Sequence, residues 1–187
     1  LSGLVGSEMC IRDSFTSASA ATLVVNPQGD YFGGQMTGAL SLNANTTAGN
    51  LIVGSALSYS GATILSGKGN GLYLRDAGAL TNTASVDVNY TGLYLDSSLA
   101  NSKQFLNNRI NDAAPVTMRG GLLSLTGRDN ATVFETIGSL TLAEGLSQFT
   151  LSNGGGSIRS TVLNIGTLNI NPFSKAVPQI KHLQVMR

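Results

Sequence analysis

Charge is the scarcest commodity in this sequence. Lys, Arg, Asp and Glu together make up 11% of its 187 residues, against about a quarter in an ordinary soluble domain. The net charge is +1, and no basic stripe interrupts the chain, which excludes an electrostatic surface for nucleic acid. No apolar run approaches the ~18 residues that a bilayer-crossing helix needs. There is one histidine, His182, alone in a C-terminal tail set apart from the repeats, so neither a His cluster for a metal nor a Ser-His-Asp set is expected. There is one cysteine, Cys10, which excludes a disulfide framework and a cysteine metal site. Tryptophan is absent and aromatics stand at 6%. Poverty in charge is not disorder here, because 42% of the residues are apolar. What fills the chain is Gly, Ser, Thr, Asn, Leu and Ala, and small uncharged and β-branched residues favour extended, sheet-rich structure.

Cys10 sits in a segment unlike the rest. Back-translated as CTC GTG GGC TCG GAG ATG TGT ATA AGA GAC, Leu4 to Asp13 resembles the transposon-end oligonucleotide used to fragment DNA for sequencing. The oligonucleotide continues with AG, which demands Ser or Arg next, and position 14 is Ser14. A lipid-bearing cysteine would follow a long apolar stretch, whereas a short mixed segment precedes Cys10. Residues 1–14 are therefore expected to be a scar outside the fold, with the native N-terminus and any signal peptide upstream of it.

From Phe15 onward one theme repeats: a short alternating apolar segment, then a turn of Gly, Asn, Asp or Ser. The segments are TLVVN from Thr22, GALSLN from Gly38, NLIVG from Asn50, GATILSG from Gly61, GLYLRD from Gly71, ASVDVN from Ala84 and GLYLDSS from Gly92. They continue with PVTMRGGLLSLTG from Pro115, GSLTLAEG from Gly138, QFTLSNGGGS from Gln148 and STVLNIGTLNINP from Ser160. Period-two alternation marks strands with one buried face. The inward set is aliphatic and the outward set small and polar. The stretch DSSLANSKQFLNNRINDAAP from Asp96 breaks the period and is expected to be a longer loop or a partial helical turn.

Strand pairs recur at variable intervals of roughly 17 to 28 residues, the range of solenoid coils with unequal loops. The expected fold is all-β: a parallel β-solenoid spanning residues 15–172, with a β-sandwich as the alternative. The solenoid is favoured by a core of Leu, Ile and Val, by uniformly short strands, and by Gly and Asn turns that tolerate positive φ at corners. At roughly 20 residues per coil it would hold about eight coils, a rod about 35 to 40 Å long. Residues 173–187 shift in composition. They read either as a capping helix after Pro178, with Ile180, Leu183 and Met186 on one side, or as a change of reading frame.

The order of elements from Gly61 to Ile170 resembles the autotransporter-associated β-strand repeat family of bacterial surface proteins. The matching order runs GATILSG, LTNTASVDVN, GLYLDSS, LNNRINDAAPVTMRGGLLSLTG, ETIGSLTLAEGLSQFTLSNGGG and TVLNIGTLNI. The resemblance implies an exported, long, right-handed β-helical passenger of a very large protein. The membrane-embedded translocator barrel of such proteins has no counterpart in this sequence, which leaves the export route open.

A polysaccharide-active β-helix would cluster carboxylates on one face of successive coils, for Ca²⁺ or for acid–base work. Asp76, Asp87, Asp96, Asp112, Asp129, Glu135 and Glu144 are instead spread along the chain. Arg75-Asp76 and Arg128-Asp129 fall at turns, where solvated corner residues are expected. Asp87 is the acid inside a strand, where an outward-facing side chain is expected; the alternative is a pair with Asp96 on an adjacent coil. SNGGGS lacks the Asp of Ca²⁺-binding repeats, and no Lys-Ser or Lys-Thr follows it to make a phosphate loop. Asn45, Asn89 and Asn130 open Asn-x-Thr triplets, but no glycan is expected on a bacterial chain. Asn108, Asn111, Asn164, Asn169 and Asn171 are expected to stack in amide ladders.

No catalytic, cofactor-binding or metal-binding residue is assigned, and no cofactor is called for. The expected protein is a structural or adhesive repeat segment, secreted or surface-displayed by a bacterium. Glycans or other cell-surface molecules are its expected partners, and no nucleic acid or membrane-spanning segment is expected. The alternatives are the scaffold of a β-helical polysaccharide-active enzyme and a phage or other fibre segment.

Overall fold

The computed structural model describes residues 14–153, 160–172 and 179–180, which contain strands and no helix. They form a parallel β-solenoid. The chain winds past three flat sides in turn, and every strand-to-strand pairing is parallel.

The first side is the most regular. It is built from the latter halves of β1 (Ser14–Val25) and β3 (Gln35–Asn45), then from β6 (Thr63–Ser66) and β9 (Val86–Asn89). The leading part of β11 (Pro115–Thr126), the middle of β12 (Val133–Ser152) and the end of β13 (Thr161–Ile170) complete it. The second side stacks β2 (Asp30–Phe32), β4 (Leu51–Val53), β7 (Gly71–Leu74), β10 (Gly92–Asp96) and the trailing halves of β11 and β12. β14 (Gln179–Ile180) lies against Gln148 and Phe149 on that side. The third side is more broken. It includes the first residues of β1 and β3, then β5 (Ala56–Leu57) and β8 (Ala79–Leu80), and a single bridge from Leu80 to Ile110.

Two columns of inward side chains run the length of the first side. One is Leu23, Leu42, Thr63, Val86, Val116, Leu140 and Leu168; the other is Val25, Ala44, Leu65, Val88, Met118, Leu142 and Ile170. The tiers thus number seven among the described residues, separated along the chain by 19, 21, 23, 30, 24 and 28 positions. At ~4.8 Å per tier the rod is about 30 Å long. Alternation explains the columns. In GLYL, Leu72 and Leu74 are fully buried while Tyr73 stands outside. Most polar residues that enter the core are satisfied there, the wholly buried Ser147 Oγ being an exception. Tyr59 and Thr63 hydrogen-bond each other, Thr63 bonds Thr83 at 2.8 Å, and Thr83 donates to the Gly61 carbonyl at 3.0 Å.

Two expectations need correction, and a third is met. Strands are not uniformly short: β1, β3, β11 and β12 run 12, 11, 12 and 20 residues. They keep pairing while they bend round a corner, at the cost of register shifts such as those between Met118 and Gly121. The bend itself falls on left-handed backbone. Gly120, Gly121 and Gly145 have φ of 76°, 99° and 68°, which glycine adopts freely.

The stretch after Asp96 is the longer loop expected, and it opens with a single helical-type turn in which the Ser102 N–H donates to the Ser98 carbonyl at 2.9 Å. Its turns, and the side-chain bonds that anchor them, make it an inserted loop between the second and third sides, which is why that tier is 30 positions long.

The asparagines do not stack on one another. Asn164 and Asn169 stand beside Thr136 and Thr141. Asn108 and Asn111 are tied by side-chain bonds to Asp112 and to the Thr83 carbonyl, because an amide beside a broken ladder is better used to complete it. Cys10, His182 and most of the tail from 173 lie outside the described residues. Within the tail, Gln179 and Ile180 are extended.

Candidate functional site

The outer surface of the second side carries a ladder. Tyr31, Ile52, Tyr73 and Tyr94 follow one another in register, pointing outward and partly exposed. The rings of Tyr73 and Tyr94 stack with centroids 4.1 Å apart and planes 4° from parallel, a contact worth about 1 kcal/mol beyond its buried area. The GLYL motif makes room for it. Gly92 sits two residues before Tyr94 on the same outward face, and a Cβ there would meet Tyr94 Cε2 at 2.2 Å. Burial, and then the neighbouring Tyr94, push the Tyr73 hydroxyl up to about 12.

Arg75 flanks this ladder at Tyr73. Its guanidinium carbon lies 4.8 Å from the Tyr73 ring centre, and its Nε bonds Asp96 Oδ2 at 3.2 Å. Asp96 is turned to the inserted loop as well, accepting from Ser98 N at 3.1 Å and Ser98 Oγ at 2.7 Å. Asp76, in the left-handed region at φ 50°, joins three segments. Its Oδ2 accepts from Tyr31 Oη at 3.1 Å, its Oδ1 from Lys103 N at 2.7 Å, and its own N–H donates to Ser102 Oγ at 2.8 Å. Arg128 adds a longer bond to the carbonyl of Ser102 at 3.4 Å.

Arg109 locks this assembly from within. It is 1% exposed and donates to the carbonyls of Gly78 at 2.6 Å, Asp76 at 3.2 Å and Asp96 at 3.3 Å, and to Ser97 Oγ at 3.1 Å. Burial lowers its pKa to about 10, which leaves it charged at neutral pH. Just beyond it, Glu135 points into the core from β12 between Val133 and Ile137, wholly buried. Its carboxylate accepts from Arg109 N at 2.8 Å and Ile110 N at 2.9 Å. Asn107 and Asn108 likewise accept from the N–H groups of Phe134 and Thr136. Side chains thus complete a ladder that the insertion has interrupted.

The acids singled out in the sequence therefore divide. Asp76 and Asp96 come together with Arg75 and Arg109. Asp87 does not face Asp96: the two lie on different sides of one tier, and Asp87 approaches Arg119 Nε at 3.5 Å instead. Asp112 accepts from Asn108, and Glu144 stands in register with Arg119. Asp129 and Asn130 occupy a turn, Asn130 at φ 61°. Asn45 bonds Thr47, and Asn89 faces outward on β9. No group of three or more potential metal ligands occurs among the described residues.

Arg109 escaped the sequence reading altogether. A charge directly beside the inward Ile110, in a chain so poor in charge, was the available signal. For Glu135 the signal is the alternation itself, since V-F-E-T-I places it in phase with Val133 and Ile137.

The fold defines the class, a parallel β-solenoid. No family model matches the chain. No curated protein matches it. No solved structure matches it.

Proposed function

We propose that this chain is a structural and adhesive segment of a secreted or surface-displayed bacterial protein, of the kind found in the autotransporter-associated β-strand repeat family that it resembles. The observation that carries this reading is the outward ladder of Tyr31, Ile52, Tyr73 and Tyr94 on a rigid, stacked core. Regular tiers hold these side chains at fixed intervals, which lowers the entropy lost when a long ligand settles across them. The charged groups nearby are engaged in holding Asp76, Asp96 and the inserted loop in place. Glycans of a cell surface are the partners this face suits. Tyrosine hydroxyls and the surrounding Ser and Thr hydrogen-bond sugar hydroxyls, and the aromatic bodies cover their apolar faces.

The test is to incubate the purified chain with a panel of bacterial and host polysaccharides, measuring retention and newly released reducing ends together. Retention without release, weakened by Tyr73→Ala with Tyr94→Ala, is the expected result. Release of reducing ends would establish an enzyme instead, and absence of retention on every polymer would end the adhesive reading.

A further inference from the structure

Among the five tyrosines, Tyr73 and Tyr94 form a pair. They are register partners on β7 and β10, one tier apart, with ring centres 4.1 Å apart and planes 4° from parallel. Tyr94 raises the Tyr73 pKa through its charge and through its hydroxyl, so the phenol ends of the two rings lie together as well as their centres. The Cε carbons, ortho to each hydroxyl, are thereby brought over one another.

Neither ring is free to swing away. Tyr94 Cε2 fills the space left by Gly71 and Gly92, 2.7 and 2.2 Å from where their Cβ atoms would stand. The Arg75 guanidinium rests on the Tyr73 ring, and its ion pair with Asp96 clasps the same two strands. Both rings remain partly exposed and open to a reagent in solution. The other tyrosines are placed differently. Tyr59 is wholly buried and bonded to Thr63. Tyr31 donates to Asp76, and Ile52 separates it from Tyr73 in the ladder. Tyr90 is 59% exposed and lies beside Gly120 and Gly145.

We propose that Tyr73 and Tyr94 are a site of oxidative cross-linking, at which a one-electron oxidant joins them as dityrosine. Each phenol gives up one electron and its hydroxyl proton. The two phenoxyl radicals couple through a new C–C bond between their Cε carbons. The hydrogen on each joined carbon then moves to its oxygen, which restores both rings. The pair loses two hydrogen atoms in all; with a haem peroxidase as oxidant, one hydrogen peroxide takes them up and leaves as two waters. Because the fold already holds the reacting carbons together, coupling is a step within one molecule and not an encounter between two. The product is a covalent rung between neighbouring tiers. The inference does not rest on the glycan reading, although it uses two of the same side chains.

The test is to treat the full chain with a haem peroxidase and hydrogen peroxide, then digest the product with trypsin. A monomer with dityrosine fluorescence, lighter by two hydrogen atoms, is expected. Cleavage after Lys68, Arg75 and Lys103 should release residues 69–75 joined to residues 76–103. Tyr90 lies in the second peptide as well, so variants assign the partner. Tyr73→Phe and Tyr94→Phe keep the stacked rings, with far-UV circular dichroism as the check on folding, and each should lose the joined peptides. Tyr90→Phe should keep them. Joined peptides that survive Tyr73→Phe or Tyr94→Phe overturn the proposal. So does a parent whose dityrosine is confined to covalent dimers, or one that forms none under conditions that couple free tyrosine.

Discussion

Glu135 receives the backbone N–H of Arg109 at 2.8 Å while lying wholly inside the solenoid. A carboxyl group is thereby used as a piece of β-ladder, in a place where its charge is costly. Desolvation dominates over the two amide bonds and raises its pKa from 4.5 to about 7.

The folded chain therefore holds this proton to higher pH than the unfolded chain does. The stability that follows is complete below about pH 4.5 and is lost as pH rises through about 7. The loss is on the order of 3 kcal/mol. Glu135→Gln stays neutral throughout, so its urea midpoint should change less between pH 5 and pH 8 than the parent's. Equal changes in the two proteins would refute the assignment.

Arg109→Met should destabilise the fold by about 3 kcal/mol or more, because it strips partners from several buried acceptors at once. Arg109→Lys should recover little, since an ammonium cannot reproduce the forked geometry that reaches Gly78, Asp76, Asp96 and Ser97 together. Both variants should expose Lys103 to trypsin sooner than the parent. Unchanged urea and trypsin profiles would show that the guanidinium holds nothing.

Gly92→Ala should cost about 1 to 3 kcal/mol by driving a methyl group into the Tyr94 ring. In the Tyr94→Ala background the same change should cost much less. A double-mutant cycle measures this coupling, and additive effects would mean that the ring does not rest on Gly92.

The alternating side chains made the strand content and the inward set legible from the sequence. In GLYL and VDVN, period two separates Leu72, Leu74, Val86 and Val88 from Tyr73 and Asp87, as the structure has it. The parallel stacking was legible through the repetition of such segments. Corner geometry was not. A strand that bends through Gly120 and Gly121 without losing its partners looks, in one dimension, like two strands with a turn between them. The polar cluster was hidden for a related reason. Asp76, Asp96 and Arg109 meet because successive tiers stack, and the tier spacing varies from 19 to 30 positions, so no fixed offset reveals them.

That variable spacing has a consequence for how such a chain can change. The loop after Asp96 lengthens one tier, yet Leu95 still stands on Leu125 and Val86 on Val116 as if nothing had been added. The corner behaves as a socket: what is plugged into it hangs outside the winding, and the thread above resumes at the same pitch. Foreign peptide spliced there, beyond the reach of Asp76 and Arg109, would be carried as cargo on a frame that does not register its length.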